Sequence, residues 1–144
     1  MKVNVINKSR HQLPEYKTKG SAGMDLHADL GNPDYLVEIK PLERKLIPTG
    51  LYMEIPLGYE GNIRPRSGLS LKVGLVTIEG TIDSDYRGEI GVIATNLSNE
   101  SYWIKDGERI AQMVFNKVEQ AEFNLVSELS ETERGEGGYG STGK

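Results

Sequence analysis

Leu51-Tyr52-Met53-Glu54-Ile55 alternates apolar and polar side chains, so its odd-numbered residues face one way, as a half-buried strand requires. Pro48, Pro56 and Gly58 punctuate its ends. Outward from this segment, short alternating or apolar runs recur between turn signals, at Val3 to Ile6, Leu36 to Ile39, Leu75 to Ile78, Ile90 to Thr95 and Ile110 to Val118. Many short strands at such intervals predict an all-β protein, a sandwich or barrel of the jelly-roll kind. A single stretch reads as helical: Ser67 is placed to cap a brief helix, Leu69 and Val73 lie one turn apart on its face, and Gly74 ends it.

A length of 144 residues fits one domain. The absence of cysteine excludes disulfide scaffolds, thiolate zinc sites and cysteine nucleophiles. A net charge of -4, with acids and bases interspersed, speaks against a general polyanion-binding surface. Direct nucleic-acid binding is therefore not expected, and any bound phosphate needs a local site. The first residues, MKVNVINKSR, contain no apolar run of signal length, and no later segment approaches a membrane span, so a soluble, cytoplasmic protein is expected. Residues 1–126 read as a β core. Residues 127–144 read as an acidic linker, SELSETE at 127 to 133, followed by a glycine-rich lid, RGEGGYGSTG at 134 to 143. Glycine gives no apolar area in return for its ordering, so this tail cannot build core.

Four segments of the core carry candidate chemistry. In Arg64-Pro65-Arg66-Ser67-Gly68 a helix start offers unpaired N–H donors, Ser67 a hydroxyl and Gly68 close backbone approach, with Arg66 completing an anion cradle. An ordinary capped helix with two surface arginines has the same composition. In Gly80-Thr81-Ile82-Asp83-Ser84-Asp85-Tyr86-Arg87-Gly88 a carboxylate can act as a general base toward water and the tyrosine ring can pack on a sugar, yet the same residues suit a plain hairpin turn. In Ala22-Gly23-Met24-Asp25-Leu26, Asp25 is an oxygen ligand suited to a hard cation, usually through water, or simply the start of a strand. In Gly107-Glu108-Arg109-Ile110-Ala111-Gln112-Met113, Gln112 can donate to an oxyanion or orient a water, and Arg109 can pair with a nearby acid. His11 and His27 lack a third ligand and read as surface histidines. In the tail, Arg134 can fork onto phosphate oxygens and Tyr139 can stack on a flat ring.

Taken in order, AGMDL at 22–26, RPRSGLSLKVG at 64–74, GTIDSDYRGEIG at 80–91, GERIAQM at 107–113 and RGEGGYGSTG at 134–143 resemble the five motifs of the trimeric dUTPase family. The resemblance implies a β jelly roll assembled as a homotrimer with active sites at subunit interfaces. It also implies hydrolysis of dUTP to dUMP and diphosphate with Mg2+, by water attack at the α-phosphorus. Such an activity limits uracil incorporation into DNA and supplies dUMP for dTMP synthesis. By the same resemblance Asp83 is the general base, and Arg66, Ser67 and Gly68 bind the phosphates. Gln112 holds the phosphates or the attacking water, and Asp25 reaches the metal through water. Gly80, Thr81 and Ile82 read uracil through the backbone, and Tyr86 packs under deoxyribose. Arg134 contacts the terminal phosphates, Tyr139 covers the uracil, and Gly140, Ser141 and Thr142 surround the γ-phosphate, the tail closing over a neighbour's site. The hairpin from Gly74 to Asp83 is shorter than in many members, and Tyr139 stands where phenylalanine is usual. Two other readings stay open: a dCTP deaminase-like enzyme of the same fold, whose glutamate base and motif are not seen here, and a nucleotide- or protein-binding regulatory module without turnover.

Overall fold

The computed structural model describes residues 1–138. The described chain runs through β1 (Asn4–Asn7), β2 (Met24–His27), β3 (Leu36–Ile39), β4 (Arg44–Glu54), β5 (Tyr59–Arg64), α1 (Ser67–Val73), β6 (Leu75–Thr77), β7 (Gly80–Ile82), β8 (Glu89–Asn96), β9 (Tyr102–Lys105) and β10 (Arg109–Lys117). One four-stranded sheet has the order β1-β4-β8-β6, a second has the order β2-β10-β5-β7, and β3 pairs with β9 as a ribbon. Among the described residues every pairing is antiparallel. The fold is therefore all-β with one short helix, as the spacing of apolar runs predicts.

The two larger sheets share one core. Ile47, Met53 and Val92 from one sheet join Leu26, Ile63 and Met113 from the other in a single buried cluster. The alternation at 51 to 55 holds, with Leu51, Met53 and Ile55 all buried. Pro48, however, does not end its strand. β4 runs through it because the ladder to β8 shifts register between Pro48 and Tyr52, where Gly50 takes a φ of 68°, and a ladder already broken there has no use for the N–H that proline lacks.

α1 also departs from expectation at its start. Arg66, extended at φ -95° and ψ 119°, is the N-cap and makes no side-chain cap bond, so Ser67 is the first helical residue and not the cap. The Arg66 side chain is drawn away to a carboxylate described below. Gly74 does end the helix, at φ 70°, and Leu69 and Val73 pack on the core. The sequence pattern does not announce β5, β7 or β9. After β10, residues 118–138 carry no helix or strand, and Phe123 and Leu125 stand 97% and 99% exposed. Among the described residues no helix is long and apolar enough to cross a membrane.

Candidate active site

β10 lies between β2 and β5, with Gln112 opposite Asp25 on one side and opposite Arg64 on the other. This register brings three of the sequence segments, those around Asp25, Arg66 and Gln112, into one corner. Asp25 is its anchor. Arg66 Nε donates to Asp25 Oδ1 at 2.9 Å, and Arg109 Nη1 donates to Oδ2 at 3.1 Å. Arg66 Nη1 donates in addition to the Arg109 carbonyl at 2.8 Å. The Asp25 carboxylate thus fixes the direction of two guanidinium groups, one of which the sequence left as a partner for an unnamed acid.

Gln112 performs a second task in this corner. Its Nε2 donates to the Pro65 carbonyl at 2.9 Å and ties β10 to the loop ahead of α1. Its Oε1 lies so close to Gly23 that a Cβ there would stand 2.4 Å away, which accounts for glycine at that position. Ser67 and Gly68 are exposed at the start of α1, and a Cβ on Gly68 would meet nothing within 4 Å. The space above that backbone is open to a ligand. A cleft of about 360 Å³ adjoins the corner, bounded in part by Arg10, His11, Lys17, Asp25 and His27.

The segment from Gly80 to Gly88 lies elsewhere in the chain's own fold. β7 pairs with residues 61 to 63 of β5, Gly80 facing Ile63 and Ile82 facing Gly61, so it runs away from the Arg64 end, and it is the edge strand of its sheet. Asp83 follows it, exposed, and its carbonyl accepts from Tyr86 N at 3.2 Å to close a turn. The level of Asp83 is about 13 Å along the strands from that of Arg64, and β7 is three strand spacings, roughly 14 Å, from β2. On the order of 20 Å therefore separates Asp83 from Asp25 within one chain. Tyr86 is held by a hydrogen bond from its hydroxyl to the Glu89 carbonyl at 2.9 Å, and its ring fills the space a side chain at Gly88 would need.

The histidines differ from expectation. His11 Nε2 is 3.3 Å from Asp106 Oδ2, on a side chain only 2% exposed, and its ring is 6.2 Å from that of His27. Burial, then the neighbouring His11, holds the His27 imidazole below its ordinary pKa. The folded chain also supplies a third group, since ligand atoms of His11, Asp29 and Asp106 lie within 4.8 Å of one another. Neither residue is a free surface side chain. Positions so far apart in the chain carried no signal of this pairing. In the tail, Arg134 Nε donates to the Gly137 carbonyl at 2.8 Å. Tyr139, Gly140, Ser141 and Thr142 lie outside the described residues.

A family model described as dUTPase matches residues 9–143. The deoxyuridine 5'-triphosphate nucleotidohydrolase of Finegoldia magna is 57% identical to the chain, covering 99% of it and 99% of its own length. That of Fusobacterium nucleatum is 53% identical, covering 100% of the chain and 98% of its own length. Among solved structures, a mutant dUTPase of Staphylococcus bacteriophage 80alpha with dUpNHpp matches with a TM-score of 0.87 at 32% identity, over 99% of both chains. A mutant dUTPase of phage phi11 of S. aureus, solved to reveal how a structural Mg(II) ion is coordinated, matches with a TM-score of 0.81 at 26% identity, over 91% of this chain and 100% of its own.

Proposed function

The chain belongs to the dUTPase family, and from that premise we propose that it draws the phosphate cradle of its active site from one subunit and the base from another. The reaction is hydrolysis of dUTP to dUMP and diphosphate. The observation that carries the proposed arrangement is the strand order and register, which put Asp83 on the order of 20 Å from the corner built on Asp25. A base works only within hydrogen-bond reach of the water it activates. Asp83 of a second copy has to meet this corner, which supports a homotrimer with interfacial sites. Phe123 and Leu125, left in water by a single chain, support assembly independently.

Asp83 takes a proton from a water aligned with the α-phosphorus. Phosphoryl transfer asks for little covalent help beyond an oriented nucleophile and charge neutralisation. Arg66, aimed by Asp25, supplies charge, while Ser67 and Gly68 present a hydroxyl and open backbone. Gln112 holds the Pro65 loop that carries all three and faces the phosphates or the water. β7 is an edge strand, so one row of backbone groups along Gly80, Thr81 and Ile82 is available to a uracil edge. A pocket built from such groups rejects a base with the wrong donor pattern, because its own polar groups would be left unpaired. Tyr86, its hydroxyl anchored, offers a ring face to deoxyribose.

Asp25 suits Mg2+ through water. Both of its oxygens already accept from a guanidinium, each retains a lone pair for a water, and direct ligation would have to displace an arginine. When bound there, Mg2+ would neutralise charge on the phosphate oxygens. Residues 127–144 form linker and lid, with Arg134, Tyr139, Gly140, Ser141 and Thr142 closing on the nucleotide of a neighbouring site. Deleting 134–144 should leave the assembly intact by light scattering and badly impair turnover; unchanged kinetics would remove the lid from the mechanism. Incubation with dUTP should release diphosphate and dUMP, and ammonia released from dCTP would overturn the reading of the substrate.

A further inference from the structure

The two arginines on Asp25 are not held alike. Arg66 is fixed on two sides, by Asp25 Oδ1 at 2.9 Å and by the Arg109 carbonyl at 2.8 Å, and its side chain is 25% exposed. The Arg109 guanidinium hydrogen-bonds only to Asp25 Oδ2 among the described residues, at 3.1 Å, and the side chain is 49% exposed in the single chain. One is a fixed part of the corner and the other is free to swing.

Within one chain, a single carboxylate lies between two guanidinium groups, so the immediate surroundings of Asp25 are cationic. A divalent cation approaching Asp25 without nucleotide meets both guanidinium groups, and both oxygens of that carboxylate are already engaged. Mg2+ also gives up its waters reluctantly, which leaves little to offset that repulsion. A triphosphate reverses the balance and offers oxygens onto which an arginine fork can move.

Resting on the reading of this corner as the phosphate site, we propose that Arg109 is a positioning residue that keeps Asp25 closed to metal in the free enzyme and transfers to the phosphates when nucleotide binds. Metal and nucleotide then enter together. The transfer falls to Arg109 because Arg66 would have to give up a backbone bond as well as the carboxylate.

The test is calorimetric titration of the full chain with Mn2+ in the absence of nucleotide, for the wild type, Arg109→Gln, Arg109→Lys and the double variant Arg109→Gln/Asp25→Asn. Arg109→Gln should bind Mn2+ about tenfold more tightly than the wild type, Arg109→Lys should stay near the wild type because it keeps the charge, and the double variant should lose the gain. The double variant also subtracts any Mn2+ taken up at His11, Asp29 and Asp106. Equal Mn2+ affinity in the wild type and Arg109→Gln overturns the proposal, as does a gain that survives in the double variant. Binding of a nonhydrolysable dUTP analogue in EDTA should weaken about tenfold in Arg109→Gln, and unchanged binding overturns the transfer to phosphate. Should Arg66→Ala leave analogue affinity unchanged, the phosphate-site reading itself falls, and the inference falls with it.

Discussion

At Gly23 the contact with Gln112 is tight enough that Gly23→Ala must shift the glutamine amide, and we expect that shift to cost its bond to the Pro65 carbonyl. With the loop carrying Arg66 and Ser67 released, kcat/KM for dUTP should fall about tenfold, the worth of one positioning hydrogen bond in a charged site. Wild-type kinetics in that variant would show that Gln112 does not hold the loop. Asp83→Asn should lower kcat by about 10²- to 10⁴-fold, the usual contribution of a general base, while affinity for a nonhydrolysable analogue stays near that of the wild type. Comparable turnover by the variant would refute the assignment. Asp83 and Arg66 were legible as candidates because the chemistry of water activation and phosphate binding dictates the residue type. The grip of Arg109 on Asp25 was not, since 84 residues separate them and only the β2–β10 register sets them side by side.

Among the elements, β8 ends in the most constrained polar residue of the core. Asn96 is 0% exposed, donates to the carbonyls of Ile39 at 2.8 Å and Glu100 at 2.7 Å, and accepts from Ser98 N at 2.9 Å. It joins β8 to β3 and to the turn that leads into β9. Asn96→Leu keeps the volume and strands those partners, so stability should drop by about 3 kcal/mol, measured as a lower urea midpoint with an unchanged slope. A shift within error would mean that water replaces the side chain. β4 and α1 were readable because alternation and a terminal glycine act locally. In β5, by contrast, Gly61 stands where a large apolar side chain would make the alternation plain, so only Tyr59, packed on the core, and the buried Ile63 carry the apolar signal. It is a strand because β10 and β7 pair with its two edges, a tertiary cause that overrides propensity.

For the whole molecule, the proposed division of base and cradle between chains makes assembly a condition for chemistry. Asp83→Asn and Arg66→Ala chains, each inactive alone, should regain activity when denatured and refolded together, since a site can then take its base from one and its cradle from the other. Random mixing restores about one site in four, assuming one chain gives the base and a neighbour the cradle. No recovery would place both groups in a single chain and overturn the shared site. A chain shed from its assembly keeps the Asp25 corner, with its arginines aimed and its helix start open, but has no carboxylate within reach of the phosphorus. Dilution would then turn a catalyst into a sponge, a chain that holds triphosphates without destroying them.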